Sequence, residues 1–223
     1  MTKKVAGVLL DIDGTLIDSN DANARAWMEA MGQHGVEVNY VAIRQAIGMG
    51  GDNLLPQVAK IDADSPKGKA ISETRGRILK DKYLPRLHAF AQVRDLLTRF
   101  QGAGLTLVVA TSAKADEAKV LLEIAGSTDL ISEIATTEDA EHSKPAPDIL
   151  HAALKKSGLS AEQVVMLADT PYDVQAALKA GVGIVGVRCG GWTTEDLKGT
   201  LAVYNDPADL LAHFDDSPFA APN

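Results

Sequence analysis

The chain has 223 residues, enough for one sizeable core or for a core domain with a smaller inserted one. Its net charge of -8 and its aromatic content of 4% argue against nucleic-acid binding, because such a surface repels phosphate backbones and offers few rings for base stacking. The single cysteine excludes an internal disulfide, and no apolar run reaches the length of a membrane span, so we expect a cytoplasmic protein without a membrane partner.

Short apolar runs bounded by Gly, Asp, Thr or Ser predict strands that are buried on both faces, as in a parallel sheet. In chain order, these runs are Val5–Leu10, Leu105–Ala110, Val164–Ala168, Gly183–Val187 and, more weakly, Leu201–Tyr204. Segments with helical periodicity lie between them, at Val93–Phe100, Ala115–Ala125, Pro147–Ser157 and Val174–Ala180. The alternation of strand and helix predicts an α/β domain with a doubly wound parallel sheet.

The alternation of strand and helix is interrupted in one interval, because no strong strand signal appears between about Asp18 and His88. Helical periodicity is present there instead, at Asn23–His34, Tyr40–Ile47, Asn53–Lys60 and Gly68–Tyr83. We therefore predict an all-helical domain over residues 18–88, inserted into a core domain formed by residues 1–17 and 89–223. The C-terminal tail from Asp215 onward carries Pro and charge, and we expect it to be frayed.

Polar side chains follow the predicted strands at the edge where open α/β sheets bind their ligands. Asp11 and Asp13 follow the first strand, Thr111 and Ser112 the second, Lys144 stands in a later loop, and Asp169 and Asp173 follow the next strand. Carboxylates that converge in a partly dry site repel one another, and a hard divalent cation such as magnesium offsets this repulsion. Because a lysine and hydroxyls nearby supply donors for a phosphoryl group, the set fits metal-assisted phosphoryl transfer through a carboxylate nucleophile.

The first strand must end in a turn for both of its carboxylates to contribute. Side chains two residues apart point to opposite sides of a regular strand, so Asp11 and Asp13 share one site only if the chain turns after Asp11. Gly14 makes such a turn easy and lets the backbone approach anionic oxygens with its N–H groups.

Each of these residues also has a purely structural interpretation. An Asp-Gly pair is common in turns, and the hydroxyls or Asp169 could cap a helix. Asp173 could interact with a helix dipole, and Lys144 could be an exposed loop residue. We favour the functional interpretation because the carboxylates, the hydroxyls and the lysine occur together in register with the strand ends.

Four ordered motifs resemble those of the haloacid-dehalogenase-like (HAD) hydrolase superfamily: Asp11-Ile12-Asp13-Gly14-Thr15-Leu16, Thr111-Ser112, Lys144-Pro145 and Ala168-Asp169-Thr170-Pro171-Tyr172-Asp173. The helical insertion resembles the cap of its phosphoglycolate-phosphatase and β-phosphoglucomutase branch. This resemblance covers nearly the whole chain and implies a Rossmann-like core with a helical cap domain. It also implies a magnesium-dependent phosphatase that hydrolyses a small phosphorylated metabolite, phosphoglycolate-like or sugar-phosphate-like, through an aspartyl-phosphate. We expect a monomer or homodimer.

The resemblance implies a role for each matching residue. Asp11 would be the nucleophile, and Asp13 would protonate the leaving oxygen and then deprotonate water. Phosphoryl oxygens would be bound by Gly14, Thr111, Ser112 and Lys144. Magnesium would be held by Asp11, the Asp13 main-chain carbonyl and Asp169, with Asp173 in the surrounding shell. An aspartate at position 13 favours phosphate-ester chemistry, because an alkoxide leaving group needs a proton.

Related proteins contact substrate through the loop between the second and third cap helices. Here this loop contains Gly50, Gly51 and Asp52, and Arg44 lies just upstream. Mutase-like members carry basic residues in the loop to hold a second phosphate, so this composition disfavours a bisphosphate substrate. A structural interpretation is an interhelical turn with Asp52 or Asn53 as the N-cap. Two alternatives to the phosphatase stay open: a β-phosphoglucomutase-like phosphomutase, and a catalytically silent binding protein with the same fold.

Overall fold

The computed structural model describes residues 5–220. They divide into two compact units. The larger unit comprises the described residues up to Asp18 and from His88 onward, and the smaller unit is Ser19–Leu87. In the described part of the chain, no helix combines the length and the apolar character that crossing a membrane requires.

The larger unit is built on a six-stranded sheet in which every neighbouring pair of strands is parallel. The strands are β1 (Gly7–Leu10), β2 (Thr106–Ala110), β3 (Glu133–Ala135), β4 (Val164–Ala168), β5 (Gly183–Val187) and β6 (Ala202–Tyr204). Their order across the sheet is β3-β2-β1-β4-β5-β6, so the predicted doubly wound parallel sheet is confirmed. The strand order reverses at β1, which is the point where open α/β sheets bind ligands.

The register of the three central strands brings their carboxyl ends to one level. Leu10 at the end of β1 pairs with Val109 of β2 on one side and with Leu167 of β4 on the other. The next polar side chains along these three strands are Asp11, Thr111 and Asp169. Parallel pairing therefore places residues that are far apart in sequence at one edge of the sheet.

Helices form the smaller unit and connect the strands of the larger one. In the smaller unit they are α1 (Asn20–Gln33), α2 (Tyr40–Ala46), α3 (Gly51–Ala59) and α4 (Pro66–Ile78). In the larger unit they are α5 (Val93–Gly102), α6 (Ala115–Ile124), α7 (Asp148–Ser157), α8 (Pro171–Ala180) and α9 (Pro207–Ala212). The helix predicted for Gly68–Tyr83 is divided, because α4 ends at Ile78 and a π-helical turn follows over Leu79–Tyr83.

Each unit buries its own apolar residues. In the larger unit, one face of the sheet shares an apolar cluster with α7 and α8, which includes Leu9, Ile149, Met166 and Val174. In the smaller unit the buried side chains include Trp27, Met31, Leu54, Leu55 and Ile71. Apart from Trp27, the named side chains are not aromatic, which matches the low aromatic content of the chain.

The end of the described chain packs against α5. Phe214 and Phe219 are buried, and their ring centroids lie 5.9 Å and 4.8 Å from that of Phe100. The prediction of a frayed tail is therefore wrong as far as Ala220, because the burial of two aromatic rings anchors this segment. The last three residues of that predicted tail, 221–223, lie outside the described range.

Candidate active site

Asp11 follows β1 directly and continues its pairing with β4. Its N–H donates to the Leu167 carbonyl oxygen at 3.0 Å, and its side chain is buried. The chain then turns, because the Ile12 carbonyl oxygen accepts hydrogen bonds from the N–H groups of Leu16 and Ile17 at 2.8 and 3.0 Å. The turn that the two carboxylates require is therefore present.

Gly14 lies inside this turn at a φ of 75°, a left-handed conformation that a residue with a Cβ adopts only with strain. Its N–H donates to the Ile17 carbonyl oxygen at 2.8 Å. The turn therefore uses the Gly14 N–H and the left-handed conformation that glycine permits. A role for Gly14 in phosphate binding stays a prediction.

Lys144 reaches the site from the loop that precedes α7 and is only 1% exposed. Its Nζ donates to Asp11 Oδ1 at 2.7 Å and lies 2.6 Å from Asp173 Oδ1. Burial opposes its charge, but the two carboxylates outweigh burial and hold the pKa of Lys144 above its ordinary value. The interpretation of Lys144 as an exposed loop residue is wrong, and this side chain is a fixed buried cation.

The nucleophile candidate has a strongly shifted pKa. The pKa of Asp11 is raised to about 7. Burial is the main cause, the charges of Asp173 and Asp13 act in the same direction, and Lys144 partly opposes them. Three buried carboxylates, those of Asp11, Asp169 and Asp173, gather here, and the buried cation beside them is that of Lys144. A divalent cation bound among these groups would supply the missing positive charge.

The start of α8 fixes Asp173. The N–H and Oγ1 of Thr170 donate to Asp173 Oδ2 at 3.2 and 2.5 Å, and the Asp173 N–H donates back to Thr170 Oγ1 at 3.2 Å. This capping box makes Thr170 the N-cap, so the interpretation of Asp169 as the cap of this helix is wrong. Because Oδ2 serves the cap and Oδ1 faces Lys144, Asp173 suits the shell around a metal better than direct coordination.

Asp169 follows β4 directly and is completely buried. Its Oδ1 accepts a hydrogen bond from Thr15 Oγ1 at 3.0 Å. One carboxylate oxygen each from Asp11, Asp169 and Asp173 lie within 4.8 Å of one another. Such a donor set, made only of oxygen and rich in negative charge, fits a hard divalent cation.

Asp13 is half-buried and lies on the turn after β1. Its carboxylate does not belong to the cluster formed by the other three aspartates. A role in metal binding through its main-chain carbonyl, and a role as acid and base through its side chain, stay predictions.

Two hydroxyl groups follow β2. Thr111 is buried, and its Oγ1 accepts a hydrogen bond from the Ala113 N–H at 3.1 Å. The Oγ atom of Ser112 is also buried, and it has no hydrogen-bond partner within residues 5–220. Because α6 begins at Ala115 with Lys114 as its N-cap, the interpretation of the two hydroxyls as caps is wrong. Both can donate to an anion.

The predicted cap-loop residues lie in the smaller unit. Arg44 donates through Nε to the Asp21 carboxylate at 2.9 Å. Gly50 is the N-cap of α3, so Asp52 and Asn53 lie inside the helix and the expectation that either is the cap is wrong. Roles for Arg44, Gly50, Gly51 and Asp52 in substrate specificity stay predictions.

The loop after β5 also contacts the site, although none of its residues is among the predicted site residues. Cys189 donates through Sγ to the Gly14 carbonyl oxygen at 3.3 Å, and Gly190 approaches Asp169 closely. Burial raises the pKa of the Cys189 thiol above its ordinary value, so this group stays protonated and is no nucleophile. The sequence offered only one signal for this contact, the position of the loop after the carboxyl end of β5, the strand beside β4.

A parallel sheet with aspartates, hydroxyls and a buried lysine at its switch point defines an α/β enzyme of the phosphoryl-transfer class. The model of the haloacid dehalogenase-like hydrolase family matches residues 8–187, and the chain belongs to this family. The resemblance drawn from the four motifs is therefore confirmed.

Individual relatives agree with this assignment. A phosphoglycolate phosphatase from Aliivibrio fischeri is 33% identical over 190 residues, which cover 81% of this chain and 83% of the relative. A solved hydrolase from Pseudomonas syringae is 29% identical with a TM-score of 0.87, covering 95% of this chain and 98% of that one. A β-phosphoglucomutase from Clostridium difficile shares the fold, with 16% identity, a TM-score of 0.80, and coverage of 96% and 97%. The predicted branch is confirmed, and the chain is a phosphatase enzyme.

Proposed function

We propose that this phosphatase depends on Mg²⁺ and hydrolyses the phosphate monoester of a small metabolite through an aspartyl-phosphate on Asp11. The observation that carries the proposal is the placement of buried Lys144 between Asp11 and Asp173, 2.7 and 2.6 Å from their Oδ1 atoms. Relatives named as phosphoglycolate phosphatases support a small phosphorylated acid or sugar as the substrate class.

The metal would be held by Asp11, the Asp13 main-chain carbonyl and Asp169. Bound there, Mg²⁺ would supply positive charge beside the phosphoryl oxygens. The donor set fits this ion because it offers oxygen atoms only and carries an excess of negative charge. Asp173 would hold Lys144 in place through its Oδ1 atom, 2.6 Å from the lysine Nζ.

In the first step, a carboxylate oxygen of Asp11 attacks phosphorus, and the bond between phosphorus and the ester oxygen breaks. The departing alkoxide takes a proton from the Asp13 carboxyl group, so the alcohol leaves in neutral form. The hydroxyls of Thr111 and Ser112 donate to the phosphoryl oxygens. Lys144 neutralises part of the charge that develops on them.

In the second step, water attacks phosphorus of the aspartyl-phosphate while the Asp13 carboxylate accepts a proton from that water. The bond between phosphorus and the Asp11 oxygen breaks, which releases phosphate and restores the Asp11 carboxylate. Asp13 regains its proton in this step, so both side chains return to their starting states.

The test is phosphate release from a generic aryl phosphate, followed by a panel of phosphorylated metabolites with two to six carbons. We expect release in the presence of Mg²⁺, loss of release on chelation with EDTA, and recovery when MgCl₂ is added back. Inactivity of the wild type across the whole panel would favour the silent binding protein. Formation of glucose 6-phosphate from β-glucose 1-phosphate without phosphate release would favour the phosphomutase.

Replacing Asp13 with asparagine is expected to lower turnover by about 10² to 10⁴-fold, because proton transfer to the leaving oxygen is lost. Mg²⁺ binding is expected to persist, since only the main chain at this position would contact the metal. Turnover and a Mg²⁺ titration of the melting temperature measure the two effects separately. Asp18→Asn is the matched control, because Asp18 is an exposed aspartate at the end of the same turn, and it should leave both readouts unchanged. Loss of Mg²⁺ binding in Asp13→Asn would contradict the main-chain role.

A further inference from the structure

The loop after β5 lies so close to the Asp169 carboxylate that position 190 has no room for a side chain. A Cβ atom built on Gly190 would lie 1.7 Å from Oδ2, 2.4 Å from Cγ and 2.7 Å from Cβ of Asp169. The φ angle of Gly190 is outside the left-handed region, so space and not backbone conformation requires glycine here. Any larger residue must displace either the carboxylate or the loop.

The opposite side of the same carboxylate is fixed as well. Thr15 Oγ1 donates to Asp169 Oδ1 at 3.0 Å, and both residues are completely buried. A carboxylate pushed away from Gly190 therefore loses or distorts a buried hydrogen bond. Loss of such a bond leaves a buried polar atom unsatisfied, which is more costly than loss of the same bond at the surface.

The loop itself is anchored on both sides of Gly190. The Cys189 Sγ donates to the Gly14 carbonyl oxygen at 3.3 Å, and the Gly191 N–H donates to the Arg188 carbonyl oxygen at 2.9 Å. The Arg188 N–H in turn donates to the Tyr204 carbonyl oxygen at 3.0 Å, which ties the loop to β6. Both the carboxylate and the loop are thus held by hydrogen bonds, so a side chain at position 190 would strain the contact between them.

We propose that Gly190 is a positioning residue for Asp169, and that the absence of a side chain at position 190 sets the affinity of the site for Mg²⁺. The proposal rests on the proposed function for the identity of the bound ion, whereas the packing of Gly190 against Asp169 does not depend on it. Residues that orient a metal ligand change metal affinity by about 10 to 100-fold when they are replaced.

The first arm of the test measures Mg²⁺ affinity by isothermal titration calorimetry. Gly190→Ala is expected to weaken Mg²⁺ binding by about 10 to 100-fold. Gly102→Ala is the matched control, because a Cβ at Gly102 would meet no atom within 4 Å, and its Mg²⁺ affinity should equal that of the wild type. Equal affinities of Gly190→Ala and wild type would overturn the proposal.

The second arm uses metal-free protein in EDTA and compares melting temperatures in a double-mutant cycle with Asp169→Ala. Gly190→Ala is expected to lower the melting temperature strongly in the wild-type background. The decrease in melting temperature should be smaller in the Asp169→Ala background, because the two atoms nearest to a Cβ at position 190, Oδ2 and Cγ of Asp169, are then absent. Equal decreases in the two backgrounds would overturn the proposed overlap.

The two arms separate this proposal from the proposed function. A wild type that binds no Mg²⁺ would contradict the proposed function and the metal part of this proposal, while the metal-free cycle still decides the packing of Gly190. If Gly190→Ala alone yields no folded protein, folding of the double variant with Asp169→Ala supports the overlap, and failure of the double variant to fold overturns it.

Discussion

Asp11→Asn is expected to abolish phosphate release, with turnover lowered by about 10⁴-fold or more, as for other enzymes that lose their nucleophile. An amide oxygen is a poor nucleophile toward phosphorus, so no covalent phosphoenzyme can form. The measurements are phosphate release from an aryl phosphate and detection of the phosphorylated peptide by mass spectrometry after acid quenching. Wild type should show the modified peptide that contains Asp11, and the variant should show none. Turnover comparable to wild type in Asp11→Asn would exclude Asp11 as the nucleophile.

The same variant is expected to keep its fold. Burial raises the pKa of Asp11 from 3.8 to about 7, so between these values the folded protein retains a proton that the unfolded chain releases. The cost of Asp11 to stability therefore grows as pH rises through this window and is complete above it. The neutral amide of the variant carries no such cost, and Lys144 retains Asp173 as a partner. Metal-free Asp11→Asn should thus melt above wild type at pH 8, with a smaller difference at pH 5.

Lys144→Met is expected to impair both stability and turnover. Removing one partner of a buried ion pair costs about 3–5 kcal/mol, because the remaining charge stays buried without compensation. Here two carboxylates, those of Asp11 and Asp173, lose their common cation. Urea denaturation of metal-free protein measures the free energy of unfolding, and an aryl-phosphate assay with Mg²⁺ measures turnover.

Lys156→Met provides the matched comparison for this substitution. Lys156 also pairs with an aspartate, since its Nζ lies 2.8 Å from Asp139 Oδ2, but about a third of each side chain is exposed. A pair of this kind contributes about 0–1 kcal/mol, so this variant should lose little stability and no turnover. Equal losses of stability in the two variants would mean that burial does not distinguish the two ion pairs.

The site could be predicted from the sequence because its polar side chains directly follow the ends of strands. Continuous apolar runs identified the strands on either side of β1, and parallel pairing carries whatever follows them to one edge. The identities of Asp11, Lys144 and Asp169 then suggested the chemistry without knowledge of distances. The strand β3 was not predicted, because Glu133–Ala135 is only three residues long and begins with an exposed glutamate.

Other features could not be predicted because they depend on tertiary contacts. The packing of Gly190 against Asp169 joins residues 21 positions apart in sequence, and no periodicity encodes such an approach. The anchored chain end depends on contacts between Phe219 and α5. The start of α8, by contrast, carried a local signal that was missed, because Thr170 is followed by Pro171 and, three positions on, by Asp173.

The capping box at the start of α8 has a further consequence for how substitutions in this protein are interpreted. The carboxylate of Asp173 caps the first turn of α8, and it also contacts Lys144, whose Nζ donates to Asp11. Helix nucleation and charge balance are thus coupled through a single side chain. The Thr170 hydroxyl donates to the other oxygen of the Asp173 carboxylate. A substitution at Thr170 would therefore shift this carboxylate and lower activity in an assay. The cause of that loss would be a disrupted helix cap and not a lost catalytic group.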